Sequence, residues 1–492
     1  MLSDTIKIKK TVVSLVVIIV CATGCADIEL DENPPSLLSP GSFFTTESEF
    51  QAALAGAFKP LYSDWESFDY GYPLIMTSGA EDVRSDAGIF RDLNRLSANG
   101  NDQSINAVWK NLYRSISNAN TIIGNLENAE GIPEQTLGEL EGQAKFIRAF
   151  SFFFLTRWFG EVQLTTFENQ TNVEELRQSS VAEIYDAIVL DLEDAEEKLP
   201  VEFAEKGRPT KGAAKALLAK VYLTMAGWPL EKTENYTLAK DKAAELISGE
   251  LAGTYGLESD FSDLWKEENK TTNSEFIFTF LGTIASGGTP SHMHTASRHW
   301  GNGEGGWGDF YSEDHFFNAF PEGVRKDATF TSIFADGTSW EDAGVQPHMA
   351  KYRDAGDTNG NNGEGFSVLL RYADVLLIYA EAANMAENGP SGAALEAVNQ
   401  VRRRAMGMDP NIPDAGVDLP SGMSQLDFDA AVLEERNWEL AFEYNRWFDL
   451  VRRKMVVQVN KDVHPGVTEN NRLLPKPSAQ LISEILMQNT GY

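Results

Sequence analysis

Two tryptophans seven residues apart, Trp300 and Trp307, stand in a stretch rich in Gly, Asn, Arg and His. Indole faces presented by a loop stack on the C–H faces of sugars, while nearby amides and guanidinium groups match the hydroxyls. The stretch therefore predicts a binding surface, with Arg298, His299, Trp300, Asn302, Trp307 and Tyr311 as its candidate contact residues. The alternative is that both tryptophans pack a small local core. The neighbouring glycines favour exposed rings, because flexible backbone is poor material for a core.

Metal binding by the same stretch is not expected. His292, His294 and His299 cluster there, but no carboxylate supports them at helical spacing. A second oxygen-rich segment places Asp357, Asn359 and Asn361 at alternate positions, as in a calcium loop. It lacks the central glycine and the closing glutamate of an EF-hand, so we interpret it as a solvated turn, with calcium as the alternative.

Composition excludes several classes of function. The 492 residues are 42% hydrophobic and carry a net charge of -32, which disfavours nucleic acid as a partner. The two cysteines, Cys21 and Cys25, both lie near the N-terminus, so the body of the chain has no thiol for a disulfide, a zinc cluster or a nucleophile. No serine-hydrolase elbow, HExxH motif or phosphate-binding glycine loop is present. We predict no catalytic residue, although 73 acidic residues leave a glycoside hydrolase as an alternative.

The N-terminus has the order of a secretory signal peptide, with three early lysines, an apolar run over 11–22 and small residues before Cys25. The junction Ala22-Thr23-Gly24-Cys25 resembles a bacterial lipobox. We therefore predict a signal peptide over 1–24, lipidation at Cys25 and an acidic, proline-rich tether over 25–41. A plain secreted protein is the alternative. The apolar run is too short for a comfortable membrane span.

Helical periodicity dominates the remaining chain, predicted as one domain over 42–492. The fold class expected is mostly α, with tetratricopeptide-like helix pairs forming a compact scaffold. A general helical bundle is the alternative. The predicted helices cover 50–61, 105–126, 137–159, 181–199, 211–226, 368–387, 392–406 and 427–455. Between 249 and 367 the pattern fades, predicting an inserted, loop-rich lobe with a strand over 276–280.

Several motifs together resemble the SusD/RagB family of outer-membrane lipoproteins, the glycan-binding partners of TonB-dependent transporters in Bacteroidetes. The motifs lie at 42–58, 109–120, 157–160, 370–382, 435–450, 473–477 and 488–492, in the family's order. The acidic stretch after Cys25 is similar to the export signal of such surface lipoproteins. Charged residues inside the motifs alternate with apolar ones on predicted helices, which predicts structural ion pairs. They are Arg371, Asp374, Glu381, Glu435, Arg436, Arg446 and Asp449.

The resemblance implies a scaffold that faces a SusC-like transporter and a variable lobe that presents oligosaccharide. It implies a lipid-anchored, surface-exposed location at the outer membrane. It also implies a second ligand face between the first two helices, where Asp86, Arg91 and Asn94 are candidates for polar contacts. The RagB branch of the family leaves peptide capture as an alternative to glycan capture.

Overall fold

The computed structural model describes residues 43–62, 68, 72–85, 87–172, 176–282, 297–352, 365–481 and 485–492. Contacts divide the chain into two units, 1–44 and 45–492, and the elements below belong to the second. The predicted signal peptide over 1–24, the lipidation site Cys25 and the tether over 25–41 lie outside the described residues, as does the calcium alternative at Asp357, Asn359 and Asn361. In the described part, no helix is both long and apolar enough to cross a membrane.

Sixteen α-helices form in the described ranges, joined by short 3₁₀ turns. In chain order they are α1 Glu47–Tyr62, α2 Tyr72–Ile75, α3 Arg91–Asn94, α4 Gln103–Gly124, α5 Glu134–Phe159, α6 Val181–Lys198, α7 Lys211–Ala226, α8 Asn235–Ile247, α9 Asp314–Ala319, α10 Val324–Thr329, α11 Trp340–Ala343, α12 Tyr372–Ala386, α13 Gly392–Ala405, α14 Gln425–Glu439, α15 Arg446–Arg452 and α16 Val456–Asn460. The strands are β1 Phe276–Leu281, β2 Phe330–Thr331, β3 His348–Met349 and β4 Phe366–Arg371.

Local sequence accounts for the main helix starts. Asp102 caps α4, where its carboxylate accepts hydrogen bonds from the backbone N–H of Ser104 and Ile105 at 2.9 and 3.1 Å. Ser180 and Glu183 form a reciprocal capping box at the start of α6. These caps satisfy backbone donors that have no partner inside the helix, so these two helices begin where the sequence provides a cap.

The long helices stack largely in chain order. Helix α1 packs on α4, α4 on α5, α5 on α6, α6 on α7 and α7 on α8; α8 then packs on α12, which contacts both α13 and α14. Each helix buries its apolar face against a neighbour rather than alone. The predicted fold class, mostly α with an inserted loop-rich segment, is confirmed.

An aromatic core joins α5 to the strand pair. Phe146 and Phe150 of α5 pack edge-on against Phe278 of β1, with ring centroids 4.8 and 6.0 Å apart. Strand β1 runs antiparallel to β4, with Phe280 opposite Ser367. Because β1 and β4 stand at the two ends of the segment 282–365, their pairing fixes the base of the predicted lobe to the helical scaffold.

Most predicted helix bounds differ from the structure by one to three residues, and two predicted helices differ more. The helix predicted from Val368 begins at Tyr372, because residues 366–371 pair with β1 as a strand. The helix predicted over 427–455 is broken between α14 and α15, where Phe442 and Tyr444 have φ values of 62° and 61°. That left-handed conformation ends a helix. The backbone N–H of Phe442 donates to the buried carboxylate of Asp82 at 3.0 Å, which helps to hold the turn.

The predicted structural role of the charged motif residues is confirmed. Arg371 contacts Glu275, Glu439 and Glu443 at 2.6–2.7 Å. Every one of the seven is buried and forms an ion pair; the remaining pairs are Asp374 with Lys220 and Arg436, Glu381 with Arg452, Glu435 with Arg325, Arg446 with Glu81, and Asp449 with Arg436 and Arg452. Each buried charge thus has compensation from an opposite charge.

Candidate functional site

The loop carrying the two tryptophans folds back on itself. The N–H of Gly308 donates to the carbonyl of Arg298 at 2.7 Å, and that of Gly306 donates to the carbonyl of His299 at 2.9 Å. A Cβ atom on Gly306 would lie only 2.3 Å from the Arg298 carbonyl oxygen, so this close return of the backbone requires glycine. The glycine-rich composition therefore builds a defined loop.

A neighbouring turn at 333–339 holds the loop in place. Asn302 Nδ2 donates to Asp336 at 3.0 Å, and the N–H of Asp336 donates to the Asn302 carbonyl at 3.1 Å. The buried carboxylate of Glu304 accepts from the N–H of Ala335 at 3.0 Å. Asn302, predicted as a ligand contact, is thus engaged in tying two loops together.

The floor of the site is a buried aromatic cluster. The His299 ring stacks on Phe334 with centroids 4.8 Å apart and meets the His348 ring at 5.3 Å. His348 Nδ1 lies 2.8 Å from the Gln346 carbonyl, and since that oxygen only accepts, Nδ1 is the donor. Burial lowers the pKa of His348 to about 4. The imidazole is therefore neutral at neutral pH.

Trp300 lies on this floor with its ring open to solvent. Its side chain is 73% exposed, and its ring centroid is 5.3 Å from that of His299. A Cβ atom built on Gly308 would lie 3.5 Å from both Trp300 Cδ1 and His348 Nε2, so the indole sits beside the glycine and the cluster. Trp300 is not a core residue. Its exposed face is a surface on which a planar apolar ligand face can stack.

The other predicted residues of the loop are less exposed. His299 and Tyr311 are only 4% and 8% exposed, so both pack behind the surface, and their role as ligand contacts stays a prediction. Trp307 is half-buried. Arg298 is half-buried as well, and its Nε has no hydrogen-bond partner among the described residues. That Nε is itself enclosed by protein, so it does not face a ligand at the exposed indole.

The structure joins the second predicted face to the first. Arg84 and Tyr311 exchange backbone hydrogen bonds at 2.7 and 3.2 Å, and Phe90 stacks on Phe310 with centroids 6.0 Å apart. Arg91, directly after Phe90, is exposed, and Asn94 is half-buried and accepts from the N–H of Ser85 at 3.4 Å. Asp86, His292 and His294 lie outside the described residues. Two segments more than 200 residues apart in sequence thus pack against each other through buried residues.

Sequence reasoning missed the residues that support Trp300. Phe334 and His348 come from separate turns, and only the tertiary fold brings them under the loop. The Asp336-Gly337 pair signals a turn, yet nothing in the sequence indicates which loop that turn contacts. In the described part of the chain, no group of three or more His, Cys, Asp or Glu side chains is arranged to hold a metal ion.

Comparisons with known proteins give consistent matches across the chain. The model of the SusD family matches residues 325–484, and a model described as "Starch-binding associating with outer membrane" matches residues 31–223. SusD-like protein P2 of Formosa agariphila is 30% identical, over 98% of this chain and all of that relative. A SusD-like protein of Bacteroides ovatus is 26% identical, over 87% of this chain and 79% of its own length.

Solved structures share the fold at low sequence identity. A SusD homolog from Bacteroides thetaiotaomicron aligns with a TM-score of 0.79 at 23% identity, covering 92% of this chain and 98% of that one. A laminarin-binding SusD-like protein aligns at 0.75 and 24% identity, covering 91% of this chain and all of that one. Surface glycan-binding protein A from Bacteroides fluxus aligns at 0.73 and 24% identity, with the same coverage.

Proposed function

The chain belongs to the SusD family, and from that premise we propose that it captures oligosaccharide at the cell surface and delivers it to a SusC-like TonB-dependent transporter. The observation that carries the proposal is the exposed indole of Trp300 on a fixed loop above a buried aromatic floor. Sugar binding in water uses such an apolar face together with polar groups beside it. Arg298, half-buried in the same loop, is the proposed polar group beside that face.

Two relatives by fold support the choice of ligand. One solved structure is of a laminarin-binding protein and another is of a surface glycan-binding protein. For this chain, binding of a glycan without bond breaking is the proposed activity. Trp300, Trp307, Arg298, Arg91 and Asn94 are the proposed contact residues, with Asp86 added from the sequence.

Affinity electrophoresis against a panel of polysaccharides tests this activity. We expect at least one immobilised polysaccharide, laminarin being the first to try, to retard the purified protein, with no new reducing ends after incubation. Tryptic casein peptides in the same assay test peptide capture. Retardation by peptides alone would replace glycan with peptide as the ligand, and release of reducing ends would establish a glycoside hydrolase instead.

We also propose that a lipid on Cys25 anchors the protein at the outer membrane. The signal peptide would be residues 1–24, and residues 25–41 would tether a folded domain over 42–492. Two or more acyl chains give stable anchoring, whereas a net charge of -32 gives no attraction to anionic headgroups.

Cell fractionation tests the anchor. In cells that lack the transporter partner, the wild-type protein should sediment with outer membranes and Cys25→Ala should be released. Cys21→Ala is the matched control and should sediment like the wild type. Sedimentation of the Cys25→Ala protein would contradict lipid anchoring at that residue.

A further inference from the structure

A second cavity, separate from the Trp300 surface, lies where the C-terminal segment crosses the end of α5. It has a volume of about 660 Å³, and its lining includes Arg157, Lys476, Arg472, Gln178, Trp228 and Asn489. The crossing is fixed by backbone contacts, since the N–H of Leu474 donates to the Trp158 carbonyl at 2.7 Å and Asn489 Nδ2 donates to the Phe159 carbonyl at 3.1 Å. A volume of this order accommodates a small organic molecule.

Arg157 is a buried cation that forms no ion pair among the described residues, although the charges of Asp449 and Asp374 act on it from farther away. It is 7% exposed, and its guanidinium carbon lies 3.8 and 3.7 Å from the ring centroids of Phe153 and Phe448. Its Nε donates to the Phe153 carbonyl at 3.2 Å. Its two terminal nitrogens have no hydrogen-bond or ion-pair partner among the described residues. Burial lowers the pKa of Arg157 to about 9, so the group is still charged at neutral pH.

Lys476 brings a second positive charge to the same cavity. It is 1% exposed, and among the described residues its Nζ contacts only neutral oxygens, Gln178 Oε1 at 3.3 Å and the Met487 carbonyl at 2.7 Å. Burial lowers the pKa of Lys476 to about 8. The lining thus holds two cations without ion pairs among the described residues, in a protein whose net charge is strongly negative.

The remaining charges of the lining do not neutralise this pair. Arg472 is ion-paired with Glu469, and Arg452 is ion-paired with Glu381 and Asp449. In the part of the chain that the structure describes, Glu161 accepts from the Gln178 amide and forms no ion pair with the lining cations, although its charge acts on Lys476 from farther away. The positive charges of Arg157 and Lys476 therefore outnumber the single carboxylate of the lining without an ion pair, which is Glu161.

Other buried arginines of the chain show how unusual this is. Arg371, Arg404 and Arg436 each contact two or more carboxylates. An isolated buried charge is costly, and its persistence beside an open cavity indicates that an anion from outside completes the site.

We propose that this cavity binds an oxyanion group, carried by a molecule up to about the size of a monosaccharide, at Arg157, with Lys476 as a second positive charge of the lining. The planar guanidinium presents its terminal N–H groups to two oxygens at once, and the ammonium adds a point charge. A carboxylate, a sulfate and a phosphate share this chemistry. The site is independent of the proposed glycan surface, since the two share no lining residue.

Thermal unfolding and titration calorimetry with three sodium salts test the proposal. The probes are glucuronate, sulfate and phosphate, each against chloride at equal ionic strength and against glucose as the neutral sugar. At least one oxyanion should raise Tm in a saturable manner and bind by calorimetry, since a ligand of the folded state stabilises it. Preferential binding of glucuronate identifies an acidic sugar as the source, and preferential binding of sulfate or phosphate identifies a tetrahedral group.

Variants locate the binding. Arg157→Met should weaken the affinity about tenfold or more, because it removes charge-assisted hydrogen bonds. Lys476→Gln should also weaken the affinity, and it provides the test if the Arg157→Met protein does not fold. Arg208→Met is the matched control, because Arg208 also stacks on a phenylalanine, at 3.9 Å from the Phe203 ring, but lies outside the cavity. Absence of saturable binding by all three anions, or unchanged affinity in both cavity variants, would overturn the proposal.

Discussion

Asp82 is a carboxylate enclosed at the turn between α14 and α15. It is 2% exposed, and one of its oxygens accepts from the N–H of Phe442 while the other has no partner among the described residues. Burial is the main reason that the pKa of Asp82 rises from 3.8 to about 6, and the neighbouring Glu81 raises it further. The hydrogen bond from Phe442 therefore requires the burial of a charged carboxylate, which costs free energy of folding.

We predict that Asp82→Asn stabilises the protein at pH 7. A carboxyl whose pKa is raised on folding reduces stability above the folded pKa, and the loss is recovered as the pH falls from 6 towards 3.8. Asn keeps an oxygen for the Phe442 N–H. The free energy of unfolding should increase by about 1 to 3 kcal/mol at pH 7, since one pKa unit corresponds to about 1.4 kcal/mol. The gain should vanish near pH 4.

Urea unfolding at pH 7, 5.5 and 4 measures this difference. Asp92→Asn, at an exposed position on α3, is the control and should change stability little at any of the three pH values. If Asp82→Asn did not increase the free energy of unfolding at pH 7, or increased it equally at pH 7 and pH 4, the assignment of a buried, charged carboxylate would be contradicted.

Single residues of the candidate site were predictable only in part. The glycines around Trp300 indicated an exposed ring, and Trp300 is exposed. His299, its neighbour in sequence, is buried because Phe334 and His348 cover it. The composition of a loop therefore predicts that it presents rings to solvent. Contacts with distant segments decide which of those rings is exposed and which is buried.

At the scale of elements, a turn of the chain packs very closely against α15. A Cβ atom added to Gly79 would lie 1.8 Å from the ring of Trp447, which is 1% exposed. The distance leaves no room for any side chain. The absence of a side chain at Gly79 is thus what allows the indole to fill this position.

We predict that Gly79→Ala destabilises the protein by about 1 to 3 kcal/mol or more, because overpacking forces side chains or backbone to shift. Gly56→Ala is the matched control: Gly56 lies in α1, and a Cβ there meets no atom within 4 Å. Alanine should stabilise that helix by about 0.5 to 1 kcal/mol. Chemical denaturation of both variants measures the contrast, and equal stability of the two would refute the close contact.

Element boundaries were predictable where a local signal marks them. The helix α7 has the predicted bounds, and α6 begins at the predicted residue, after its capping box. No glycine or proline marks the break after Glu439, where Leu440 to Asn445 leave the helix and two residues take positive φ. The boundary between strand β4 and α12 has no local signal either. The apolar residues of β4 continue the pattern of α12, and only pairing with β1 distinguishes the strand.

At the scale of the whole molecule, buried charges connect the lobe to the scaffold. Glu275, just before β1, contacts Arg371 of β4 at 2.7 Å and Arg404 of α13 at 2.8 Å, and both arginines also contact Glu439 of α14. The sequence indicated structural ion pairs at these motifs, but the partners are 35 to 129 residues apart and could not be assigned from spacing. The family resemblance predicted the helical architecture, whereas the ion-pair partners could be identified only from the structure.

The central claim is that the Trp300 face binds glycan, and calorimetric titration of wild type and Trp300→Ala with the same oligosaccharide tests it most directly. The oligosaccharide is cut from the polysaccharide that retards the protein in electrophoresis. Leu426→Ala is the control, because Leu426 is 76% exposed on α14, outside the lobe. By analogy with stacking of bases on aromatic rings, Trp300→Ala should weaken binding by about 1 to 3 kcal/mol with Tm unchanged, and Leu426→Ala should bind like the wild type. Wild-type affinity in Trp300→Ala would contradict the account.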